Sequence, residues 1–84
     1  MIVRMWEVIA QPEAQGDVLS FVCEVAVPAL EVRPLHVDSQ VLTSTDGRVV
    51  VVSRWRGDPV DPESPPRYKI AHPARSWDFH EVDR

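Results

Sequence analysis

The sequence predicts an α+β fold, with one amphipathic helix laid on a four-stranded antiparallel sheet. Three observations carry that expectation. Arg48–Val49–Val50–Val51–Val52–Ser53–Arg54–Trp55 is a strand-length run that is apolar on both faces, as a central strand must be. Ile2–Ile9 is a second run of the same kind, broken only by Arg4 and Glu7. Between them, from Val18 onward, the apolar period changes from two to that of a helix.

In chain order, the first strand Ile2–Ile9 places Val3, Met5 and Ile9 on one face and Ile2, Trp6 and Val8 on the other. Ala10–Gly16 is a connection marked by Pro12 and Gly16, and Asp17 is placed to cap a helix whose first N–H groups lack partners. Over Asp17–Ala29, an arc of Val18, Leu19, Phe21, Val22, Val25, Ala26 and Ala29 faces the sheet, with Ser20, Glu24, Val27 and Pro28 opposite. Pro28 should kink or end the helix, since it lacks an N–H and crowds the preceding turn. Cys23, at the margin of the arc, reads as a packed small hydrophobe.

Leu35–Ser44 is a weaker strand with one mostly polar face, which suits an edge. Asp46–Gly47 is a strong turn signal leading into Arg48–Trp55. Gly57–Pro73 contains five of the eight prolines, which excludes a long helix and leaves room for at most a turn or two over Arg67–His72. The last strand is expected at Ser76–Val82, with Trp77 and Phe79 on one face and Asp78, His80 and Val82 on the other.

Two central and two edge strands in the order β, α, β, β, crossover, β fit a ferredoxin-like sheet of order 4-1-3-2. One helix covers one face. The other is left with apolar side chains from both central strands, and large apolar patches usually mark an interface. A homodimer built face to face on that surface is the expectation. Alternatively, the proline-rich segment folds over the same face within one chain.

Composition sets further bounds. Residues 1–84 read as a single domain, and a chain this short buries only roughly 60–65% of its unfolded surface, so association is a natural aid. One cysteine precludes an internal disulfide, and Arg4 and Glu7 interrupt any signal-like N-terminal run, so a reducing, cytoplasmic setting is expected. No apolar run approaches the roughly 20 residues that span a bilayer, and no membrane partner is expected. The net charge of −4 and the lone lysine, Lys69, give no basic stripe, so nucleic acid is not an expected partner. His36, His72, His80 and Cys23 have no close ligand spacing, and the three glycines form no phosphate loop. No metal site is expected.

The opening strand, the helix Asp17–Ala29, the hairpin ending Val-Val-Val-Val-Ser-Arg-Trp55 and the closing His72-Pro-Ala-Arg-Ser-Trp-Asp-Phe79 together resemble the antibiotic biosynthesis monooxygenase-like, dimeric α+β barrel proteins. The resemblance implies a βαββ(α)β sheet paired with a second copy into a barrel, and a pocket between sheet and helices. It also implies cofactor-independent oxidation of a small aromatic ligand, in which the deprotonated phenol itself reacts with O₂. The chain departs from the pattern at Gly57–Pro73, where members usually carry a second helix. The haem-degrading branch places an asparagine on the first strand, and this chain contains none. By residue type, His72 is the candidate base, since imidazole titrates near neutral pH. Trp6, Trp55 and Trp77 are candidates to line an aromatic site, and Arg54 to hold an anion. The same residues also fit a non-catalytic dimer of this fold that binds a small ligand or serves a neighbouring protein.

Overall fold

A computed structural model describes all residues, Met1–Arg84. Strands β1 (Ile2–Ala10), β2 (His36–Thr43), β3 (Arg48–Trp55) and β4 (Ile70–His80) form one antiparallel sheet in the order β2-β3-β1-β4. Both apolar-on-two-faces strands are central, as expected of their patterns. The α+β, ferredoxin-like fold is that of the sequence reading. No helix is long and apolar enough to cross a membrane.

Register separates the two faces row by row. On the first face, Ser76–Trp6–Val51–Val41 and His80–Ile2–Trp55–His36 run across the sheet. This face packs against the helix: Trp6, Val8, Val49, Val51 and Trp55 join Val18, Val22, Val27 and Leu30 in one buried cluster. On the second face the rows are Trp77–Met5–Val52–Gln40, Phe79–Val3–Arg54–Asp38 and Arg75–Glu7–Val50–Leu42. Nothing in the chain covers it. A β-bulge between His36 and Asp38 turns His36 to the helix side, against the plain alternation read from the sequence.

The helical segment starts earlier and ends later than Asp17–Ala29. It comprises α1 (Gln15–Phe21), a π-helical stretch Val22–Ala26 and α2 (Val27–Glu31). Ala14 occupies the N-cap position, so Asp17 lies inside the first turn, where its charge still favours the helix dipole. The π stretch explains why the expected arc is only half right. An α-helix advances about 100° per residue, which would put Leu30 about 120° from Val18; one extra residue in a wide turn brings it back to about 20°. Accordingly Val27 and Leu30 are buried, while Val25 and Ala29 face solvent. Cys23, on the same stretch, is exposed rather than packed. Pro28 does not end the segment. It falls in the first turn of α2, where a missing N–H costs little.

The turn between β2 and β3 is held by Gly47 at φ 90°, a conformation that side chains disfavour. The Ser44 hydroxyl donates to the Asp46 carboxylate and accepts from the Arg48 N–H.

After β3 the chain crosses without a helix until a 3₁₀ turn, Arg67–Lys69. Its prolines pack on the helix-bearing face rather than on the open one. Val60 touches the core cluster, Pro62 and Pro65 are buried, and Asp61 pairs with Arg4 at 3.1 Å. The proline-rich segment is therefore a second cover for the first face, and the alternative in which it folds over the open face is corrected. Strand β4 begins six residues before the expected Ser76 and runs through Pro73. An edge strand tolerates this, because one of its two sides needs no ladder donor.

Candidate functional site

Sequence candidates divide between the two faces and one edge. Trp6 and Trp55 lie in the core on the helix side, only 2% and 1% exposed. The Trp55 indole N–H donates to the Ser53 hydroxyl at 2.8 Å, and the His36 ring meets it edge-on, 5.2 Å between centroids. His36 in turn contacts the Ser39 hydroxyl through Nε2 at 2.8 Å. These two tryptophans fill the space between sheet and helix.

Arg54 and Trp77 lie on the opposite, open face. The Arg54 guanidinium grips Asp38 through Nε and Nη2, at 2.9 and 2.7 Å, and Glu81 through Nη1 at 3.0 Å. Hydrogen bonding to Asp38, then to Glu81, pushes the Arg54 pKa up, and the same bond holds the Asp38 carboxyl below the usual range. An anion reaching Arg54 must displace two carboxylates already in place. A parallel arrangement joins β1 to β4: Arg4 donates to Asp78 at 2.7 Å and to Asp61 at 3.1 Å. The hydrogen bond from Arg4 lowers the Asp78 pKa.

His72 is apart from all of these. It lines an open depression of about 440 Å³ near the start of β4, together with Ser64, Arg67, Ile70, Pro73 and Ala74. No tryptophan and no carboxylate lines it. Local structure explains its position. Gln11 donates twice across to the start of the strand, from its N–H to the Lys69 carbonyl at 2.9 Å and from its side-chain amide to the Ile70 carbonyl at 3.2 Å. The β1–β4 ladder then slips twice, between Glu7 and Ile9 and between Ile9 and Ala10. Such irregularities re-aim side chains, and here they flank His72, which pairs with Ile9 between them. Arg67 and Ser64 escaped the sequence reading; the signal available was their place on either side of the Pro65–Pro66 pair, which is stiff enough to fix both flanks.

A second hollow, about 340 Å³, is lined by Trp55 together with Arg33, Pro34, Leu35, Asp58 and Val60. Trp55 forms part of its wall although the residue is only 1% exposed. His36, His72, His80 and Cys23 do not gather with carboxylates into any group of three ligating side chains.

The sheet order, the helix on one face and the antiparallel pairing define a ferredoxin-like α+β fold. Two solved structures carry that statement. One, described as an antibiotic biosynthesis monooxygenase, superposes with a TM-score of 0.71 at 15% identity, over 99% of this chain and 100% of its own. The other, Rv0793 from Mycobacterium tuberculosis, also superposes at 0.71, with 12% identity over 99% of this chain and 96% of its own. No family model and no curated protein matches the sequence.

Proposed function

We propose that the protein is a homodimeric α+β barrel with monooxygenase-like activity, oxidising a small aromatic metabolite without a cofactor at the depression beside His72. The fold supports the reading, since one solved structure with it is described as an antibiotic biosynthesis monooxygenase. The single observation that carries the site is the meeting of an imidazole with apolar Ile70, Pro73 and Ala74 in a hollow free of carboxylates. In this chemistry His72 takes the phenol proton, O₂ adds to the electron-rich ring carbon, and water leaves. One phenol and one O₂ give one quinone and one water, which balances.

The dimer rests on the open face of the sheet. Met5, Val50 and Val52 are half-buried there, and Leu42, Trp77 and Phe79 are 43%, 43% and 52% exposed. A patch of this kind is what a second sheet would cover.

A second reading has its own observation. The space between sheet and helix, where the fold's resemblance implies a pocket, is filled by Trp6 and Trp55. A filled interior favours a non-catalytic dimer that binds a small ligand or serves as an accessory to another protein. Oxygen consumption with a panel of dihydroxynaphthalenes and related phenols separates the two. The enzyme reading expects turnover that falls at least about a hundredfold in His72→Ala, the usual weight of a general base. No uptake above the uncatalysed rate leaves the binding protein.

A further inference from the structure

We propose that the depression at the start of β4 is built for a small organic carboxylate with a flat apolar body, held by Arg67. The inference deepens the proposed function by naming a ligand class for the same hollow, and it rests on that reading only for the location. Five observations support it. Arg4, Arg48 and Arg54 are each engaged by two carboxylates, whereas Arg67, like Arg33, Arg56, Arg75 and Arg84, has no carboxylate partner, and of these five it is the one that lines the hollow. A guanidinium with a free fork matches a carboxylate with two parallel bonds. The chain has a net charge of −4, yet no Asp or Glu lines this hollow, so an anion meets no close like charge there.

The remaining polar groups are Ser64 and His72, a hydroxyl and an imidazole able to donate to the same anion. Ile70, Pro73 and Ala74 offer the ring an apolar bed. Finally, the double slip in the β1–β4 ladder occurs at this point and nowhere else along that pairing. Regular strand structure is given up where the hollow forms, a placement typical of built sites.

Benzoate is the probe, because it carries the anion and ring but no phenol to oxidise. Amide chemical shifts followed during a millimolar titration should move saturably at Arg67, Ala71, His72 and Ala74. Arg67→Gln should weaken binding about five- to tenfold, the usual weight of a charge-assisted pair at an exposed site. Arg75→Gln, at an exposed arginine of β4 outside the hollow, should leave it unchanged. Benzamide, of the same shape without the charge, should not bind. The proposal is overturned if those amides do not shift, if benzamide binds as well, or if the two arginine variants behave alike. Failure of phenol oxidation with benzoate binding intact removes the enzyme reading alone. Loss of benzoate binding with oxidation intact removes the carboxylate alone.

Discussion

The two faces of the sheet are made from alternate residues of the same strands, yet their fates differ. Val49 and Val51 are fully buried, while Val50 and Val52, their immediate neighbours in the chain, are only partly covered. On one side the helix and the proline-rich crossover seal Trp6 and Trp55 into the core. On the other, Trp77 and Phe79 stand in solvent between two charged clusters, Arg54 with Asp38 and Glu81 at one end and Arg48 with Glu7 at the other. One face is the stability of the chain. The other holds apolar area that a chain of this size can ill leave in water. The difference marks the first face as the core of the fold and leaves the second as the surface on which the proposed dimer would rest.

The sharpest way to break that assignment is to truncate one tryptophan on each face. Trp55→Ala removes a buried ring, its bond to Ser53 and its contact with His36. It should cost about 3–5 kcal/mol in denaturant unfolding, enough to unfold much of a small domain. Trp77→Ala should change the unfolding of the isolated chain by less than about 1 kcal/mol, because it is already wet. Its effect belongs in self-association, weakened at least about tenfold if it sits near the centre of an interface. Equal effects of the two variants on unfolding at a concentration where the chain is monomeric would erase the distinction.

A smaller effect tests the polar ties that close the sheet's edge. Arg4 holds the Asp78 carboxyl below the usual range. A depressed folded pKa adds stability that is present above the unfolded value, about 4, and is lost as pH falls through the folded value. Asp78→Asn should therefore lower stability at pH 7 and flatten its fall below about pH 4. With the Asp78 side chain 42% exposed, solvent screening limits the change to about 1 kcal/mol or less. An unaltered acid limb in urea unfolding followed against pH would show that the Arg4–Asp78 bond contributes nothing.

Much of the fold was legible because period and face are written in residue type. The valine run and Ile2–Ile9 could only be central, and Asp46–Gly47 could only turn. What escaped depended on single residues that shift phase. A wide helical turn at Val22–Ala26 moved Val27 and Leu30 inward and left Val25, Ala29 and Cys23 in solvent, and nothing in the residue types announces an extra residue per turn. Pro73 made the start of β4 look like loop, although an edge strand can hold it. The candidate site was less legible still. Residue type singled out Trp6, Arg54, Trp55, His72 and Trp77, but only register separates two core rings from an open-face pair and an edge histidine. Ser64 and Arg67 line the same depression as His72 from a crossover that has no period to read.

Sedimentation equilibrium of this chain, run beside Val52→Asp, tests whether the open face pairs with a second copy. Val52 lies in the middle row of the open face, between Met5 and Gln40, where a charge is tolerated in water but not between two sheets. A dimer at micromolar concentration is expected for the natural sequence and a folded monomer for the variant. A monomeric natural chain, or a variant that stays dimeric, would contradict that pairing.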